Sequence, residues 1–210
     1  MVERLRIRNM TQDDIDAVAD IRVRGWQAAY VGLVPQAYLD GMSAAEEAAH
    51  RRAFFAAPPP GVVALVAERD GELVGFAGFG PVHTSDEDTS GPPASAEEPY
   101  EGGSSEGELY TLYLLPECIG TGVGRALLDA CLEGAARNGF RTLRLWVLKG
   151  NAHARRFYEK AGFRADGAEQ TFEVAGVVVP EVRYRRPLPT TGNSTDGPDD
   201  PDDADGLNAP

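Results

Sequence analysis

Between Glu108 and Leu128 the chain reads ELYTLYLLPECIGTGVGRALL. A strand-like run ends at Pro116, glycines follow at 120, 122 and 124, and Arg125 then opens an apolar helical stretch. Three glycines in five residues are more than a plain strand-to-helix turn needs. Glycine lets the backbone approach a ligand closely, and the exposed N–H groups of a helix start bind phosphate. The spacing therefore predicts a phosphate cradle at Gly120, Gly122 and Gly124. Two nucleotide loops fit poorly. A Walker loop needs Gly-Lys-Ser/Thr, where this chain has Gly124-Arg125-Ala126. A Rossmann loop would put its third glycine on Arg125 and an acid about 20 residues on, where RLWVLK has none. The side chain of Arg125 either neutralises phosphate or is a solvated first-turn residue.

Other reactive side chains point elsewhere. Cys118 and Cys131 do not match a zinc spacing, and no histidine accompanies Cys118 in sequence, so covalent catalysis is not expected. His50, His83 and His153 lie far apart, so no metal site is expected. Phe157 and Tyr158 sit in a short helical stretch and, taken alone, read as core packing. Trp26 and Tyr30 are spaced i,i+4 and share a helix face, where they either line a pocket or cap the core.

The net charge of −13 is localised. Residues 81–107 and 189–210 hold thirteen of the 33 acids and no Lys or Arg, which leaves 20 acids against 20 bases elsewhere. This composition predicts a disordered insertion at 81–107 and a disordered tail at 189–210, and it argues against nucleic-acid binding by those segments. No apolar run approaches the roughly 18 residues of a membrane span, and the first residues lack a secretion signal. A cytoplasmic chain with no membrane partner is expected.

The elements that must position these residues follow from periodicity. Glu3–Asn9 alternates as a strand. Thr11 caps a helix through Trp26, and a second helical region covers Pro35 to Ala57, stopped by three prolines. Val62–Arg69 and Glu72–Phe79 form a hairpin at Asp70-Gly71. Glu108–Leu115 is a strand, Gly122–Asn138 a helix, Arg141–Leu148 a strand and Asn151–Ala161 a helix. A hairpin around Ala175-Gly176 closes the chain. The order β–α–α–β–β–β–α–β–α–β–β is mixed α/β, a single domain over residues 1–188.

The run PECIGTGVGRALL resembles the coenzyme A pyrophosphate loop of the GCN5-related N-acetyltransferases, the GNAT family. The family pattern Gln/Arg-x-x-Gly-x-Gly/Ala is met at Gly122 and Gly124, with Ile119 at its first position. The run NAHARRFYEKAGF, from Asn151 to Phe163, is similar to the family's Asn-x-x-Ala-x-x-Phe-Tyr-x-x-x-Gly-Phe helix. The resemblance covers about residues 3–188 and implies a mostly antiparallel, twisted central sheet with flanking helices.

The resemblance also implies roles. Acetyl-CoA is the co-substrate, with no metal. Backbone groups of Leu112, Tyr113 and Leu114 and of Gly120, Thr121, Gly122, Val123, Gly124 and Arg125 hold it, and Asn151 both caps its helix and contacts it. The strands are expected to splay after Leu114. Tyr158 donates a proton to the departing thiolate. Glu108 occupies the position of the family's general base, its other reading being an exposed acid at a strand start. The base that some members carry on the next strand is missing, since Trp146 or a neighbour stands there. The acceptor site falls to the first helices and the last hairpin, with Trp26 and Tyr30 as candidate lining residues. The implied activity is acetyl transfer to a primary amine of a small molecule or protein. The competing classes are a non-catalytic coenzyme A or acyl-CoA module, which has no use for Tyr158, and an interaction protein using its acidic segments. A homodimer is common in the family.

Overall fold

In a computed structural model, residues 4–82 and 105–189 are described. They form one seven-stranded sheet in the order β1-β2-β3-β4-β5-β7-β6. The strands are β1 (Leu5–Asn9), β2 (Val63–Arg69), β3 (Glu72–Pro81), β4 (Glu106–Leu114), β5 (Thr142–Leu148), β6 (Arg164–Val174) and β7 (Val177–Pro187). Every neighbouring pair is antiparallel except β4 and β5, which are parallel. The helices are α1 (Ile15–Ala29), α2 (Gln36–Gly41), α3 (Ala44–Ala56), α4 (Val123–Arg137) and α5 (Ala152–Lys160). The expected mixed α/β, mostly antiparallel architecture is the one observed.

Strand alternation sends successive side chains to opposite sheet faces. Leu65 and Ala67 of β2 pack under α4 with Leu127, Leu128 and Cys131, while Val66 between them packs under α1 and α3 with Ile15, Val18 and Ala48. A third cluster joins Trp26 and Leu39 to Leu148, Phe172 and Val179, so the end of α1 and α2 close over the β5, β6 and β7 end of the sheet.

Several boundaries differ from the sequence expectation, each for a local reason. Thr11 starts a short 3-10 turn over Gln12–Asp14 before α1, because Asp14 accepts bonds from the Thr11 amide (2.7 Å) and hydroxyl (2.9 Å). The helical region from Pro35 to Ala57 is two helices. Ser43 is extended and caps α3, its hydroxyl oxygen accepting from the Glu46 amide. The insertion is narrower than composition suggested. Pro81 pairs with Gly107 and Gly80 with Glu108, so β3 and β4 extend into the acidic segment. Residues 83–104 of the insertion and 190–210 of the tail lie outside the described residues.

Candidate active site

β4 and β5 pair only at Glu106 with Thr142, Gly107 with Leu143 and Glu108 with Arg144. Beyond Glu108, β5 turns to β7 alone, pairing through Leu148, and β4 continues to Leu114 against β3 alone. The splay therefore begins after Glu108, not after Leu114 as the resemblance implied. A bulge sits at the same place: Thr111 faces Gly78 and Leu109 faces Phe79, so the register slips by one residue at Tyr110, whose hydroxyl donates to the Pro81 carbonyl. The gap is the mouth of a cavity of about 700 Å³. Its walls are Glu108–Leu114 of β4, Trp146–Leu148 of β5, the end of α1, the glycine loop and one face of α5.

The glycine loop is built as its residues require. Gly120 and Gly122 have φ of +81° and +91°, a region that favours glycine, and a Cβ on either would meet no atom within 4 Å. Gly122 is the N-cap of α4, so the first N–H groups of that helix have no intrahelical partner. Gly124 serves packing as well: a Cβ there would lie 3.2 Å from Leu114 and 3.7 Å from Phe157. The Thr121 hydroxyl donates to the Cys118 carbonyl at 2.8 Å and accepts from Arg69 at 3.0 Å, fixing the loop. Arg125 lines the cavity, but its Nε bonds Asp129 one turn along the exposed helix at 2.8 and 2.9 Å.

Asn151 caps α5 by accepting from the Ala154 amide at 3.0 Å. The same helix turns Tyr158 to the cavity, edge-on to Phe157 and Phe163 at ring separations of 5.2 and 5.8 Å. Its hydroxyl has no hydrogen-bond partner among the described residues. Burial, then the neighbouring Tyr113, pushes its acidity well away from the neutral range, so it stays protonated. Sequence reasoning missed His153, Arg156 and Lys160, which line the cavity from the same helix. Their i, i+3 and i+7 spacing was the available signal.

Glu108 is 3% exposed and is not the exposed strand-start acid of the alternative reading. Arg144 Nε and a terminal nitrogen reach its Oε2 at 2.9 and 2.8 Å. Oε1 accepts no bond from the described residues. Burial raises its pKa, Arg144 opposes that, and the charges of Glu106 and Glu181 raise it further.

Trp26 and Tyr30 line the cavity with ring centroids 4.8 Å apart. Trp26 is also core, packed on Leu39 and Phe172, so the two readings of this residue are both met. The Tyr30 hydroxyl lies 3.1 Å from that of Tyr113, joining α1 to β4. Gly25 brings the two together, since a Cβ there would lie 3.4 Å from the Leu114 carbonyl.

A model of the acetyltransferase (GNAT) family matches residues 26–163. The chain belongs to the GNAT family of acetyltransferases. This GNAT chain is 31% identical over 176 residues to the uncharacterised N-acetyltransferase YuaI of Bacillus subtilis, spanning 84% of the chain and 89% of the relative. It is 39% identical over 114 residues to the mycothiol acetyltransferase of Acidothermus cellulolyticus, of which it covers only 33%. Among solved structures, the PaiA N-acetyltransferase of Thermoplasma acidophilum in complex with coenzyme A superposes with a TM-score of 0.64 at 18% identity, over 88% of this chain and 99% of that one. YncA of Salmonella typhimurium, solved with acetyl-CoA, gives 0.61 at 20% identity, over 93% and 98%. These structures share the fold.

Among the described residues no group of three or more His, Cys, Asp or Glu side chains is arranged to hold a metal ion. No helix of these residues is long and apolar enough to cross a membrane.

Proposed function

We propose that the chain is an acetyl-CoA-dependent N-acetyltransferase that moves the acetyl group to a primary amine of a small molecule or protein by direct attack in a ternary complex. One observation carries this reading: the unpaired edge of β4 after Glu108 and the open glycine loop at Gly120–Gly122 face a single cavity. Backbone groups of Leu112, Tyr113 and Leu114 are left to bond the pantetheine amides as a strand would. Amides of the loop from Gly120 to Arg125 are left to bond the pyrophosphate. The empty space over Gly120 and Gly122 fits a bulky anion against the backbone. Bound there, acetyl-CoA supplies an activated acyl group. The named acetyl-CoA and coenzyme A complexes of the fold support the same ligand.

The residues then divide the proton traffic. Glu108, with Oε1 open and a raised pKa, takes a proton from the acceptor ammonium directly or through water. Tyr158, protonated and without a partner among the described residues, gives a proton to the departing thiolate. Asn151 holds the helix that aims Tyr158. Arg156 and Lys160 add positive charge to the cavity wall for the phosphates. No membrane partner is invoked, and a cytoplasmic site of action fits this chemistry. The test is a free-thiol assay with acetyl-CoA over a panel of amines, comparing wild type with Tyr158→Phe. Amine-dependent thiol release that falls in the variant supports the reading, and no release with any amine opposes it.

A further inference from the structure

The mechanism above leaves one half-buried acid of the cavity unused. Glu181 lies on β7 opposite Leu148 of β5, and its side chain lines the same cavity as Glu108. Glu108 has Arg144 as its cation. Glu181 has none: its Oε2 accepts from the Gln170 amide at 2.8 Å, and no Lys or Arg of the described residues forms an ion pair with it. A carboxylate partly withdrawn from water without a counter-charge is unfavourable, and a cationic ligand group relieves that cost.

The end of α1 supplies a second, independent sign. Trp26 is 2% exposed, and its indole Nε1 has no hydrogen-bond partner among the described residues. An indole N–H is a donor only and usually finds a partner when buried. The N–H itself is sealed from the cavity, so what Trp26 offers a ligand is the edge of its ring. Around it stand Tyr30, at 4.8 Å between rings, and Phe172, at 6.3 Å. Aromatic faces of this kind pack an apolar body, and the Trp26 ring already carries a cation, the Arg22 guanidinium 4.9 Å from its centroid, which leaves the ligand's charge to Glu181.

We propose that Glu181 receives the acceptor's ammonium group, and that the acceptor is a protonated primary amine on an aromatic or apolar body. This rests on the acetyl-transfer reading above, which leaves the Glu181 end of the cavity to the acceptor. Glu181 determines specificity here by charge. Burial raises the carboxyl's pKa in the empty cavity, consistent with a group that lacks its cation.

The test is calorimetric titration of the full chain with phenylalanine amide, a protonated primary amine on an aromatic body, and with 3-phenylpropanamide, which lacks only the amine. Wild type and Glu181→Gln are compared, with Glu173→Gln on the exposed side of the same hairpin as control. Wild type is expected to bind the amine about tenfold or more tightly than the neutral analogue, a difference of about 1.4 kcal/mol. Glu181→Gln is expected to lose that preference and Glu173→Gln to keep it, with acetyl-CoA affinity equal in all three. Equal binding of the two ligands by wild type, or an unchanged preference in Glu181→Gln, overturns the proposal. If the variant melts below the assay temperature, the wild-type comparison decides alone. Failure of acetyl-CoA to bind any of the three would instead count against the acetyl-transfer reading, and the two results are read from separate titrations.

Discussion

Glu108 and Arg144 are the last residues at which β4 and β5 pair, and their side chains close the same junction with contacts of 2.8 and 2.9 Å. One ion pair thus marks where the sheet opens and leaves a partly engaged carboxylate at the opening. Glu108 is raised by burial against the pull of Arg144, so its proton is lost above the ordinary glutamate range. As a base it works deprotonated. The rate kcat/KM is therefore expected to rise with pH on an acid limb above the usual glutamate value, and Glu108→Gln to lose that limb with a fall of about 10²-fold or more. Arg144→Met removes the opposing charge and should move the limb to higher pH. A pH–rate profile of the three proteins checks this, and a limb moving to lower pH in Arg144→Met would contradict it.

Tyr158→Phe removes a hydroxyl that bonds nothing among the described residues while keeping the ring between Phe157 and Phe163. Stability is expected to change little. The turnover number should fall by about 10²-fold, within the usual range for a lost general acid. Acetyl-CoA affinity should not change. Single-turnover rates beside a thermal melt distinguish this from a packing role, which would lower the melting temperature and leave turnover alone.

Glu181→Gln carries a stability signature set by the sign of its shift. The folded pKa is raised by burial. The stabilising contribution of the neutral form is therefore present below the unfolded glutamate value and lost as pH rises through the folded one. Glutamine stays neutral throughout. The variant is expected to gain melting temperature relative to wild type as pH is raised from about 4 to about 7. A gap that shrinks over that window would show that the fold does not raise the Glu181 pKa.

Asp14 has the opposite sign. Arg8 reaches both of its oxygens at 2.7 and 2.8 Å, and with the Thr11 bonds this holds its pKa down at about 2. Its stabilising contribution is present above the unfolded aspartate value and lost as pH falls toward 2. Asp14→Ala is expected to cost about 2 kcal/mol at neutral pH, through a lost cap and lost bonds to charge. That lowers the melting temperature by about 4–8 °C in a chain of this size. The difference from wild type should narrow below pH 4. Melts across pH measure it.

What the sequence made legible is what depends on neighbours in the chain. The turn at Asp70-Gly71, the left-handed glycines at 120 and 122, and the cap at Asn151 are local chemistry, and each lies where its residues indicate. The point of splay is not local, because it depends on β5 leaving β4 for β7. The Glu108–Arg144 pair spans two strands 36 residues apart, so nothing adjacent to Glu108 marks it as buried. Glu181 sits in an alternating strand where a glutamate usually faces water, and only the fold turns it to the cavity. The acidic composition after Pro81 hid the ends of β3 and β4, which cross-strand pairing extends into it.

The central claim is that the opening past Glu108 and the loop at Gly122 bind acetyl-CoA through the backbone. The most direct measurement is calorimetric titration of wild type and Gly122→Asp with acetyl-CoA, with a thermal melt of each. Aspartate tolerates the left-handed backbone at Gly122 better than most residues, and its carboxylate would enter the open space where a phosphate is expected. The account predicts binding by wild type in the micromolar range, weakened by about a hundredfold or more in a variant that still melts cooperatively. Equal affinity in the two proteins, or no binding by wild type at about 1 mM acetyl-CoA, would contradict it.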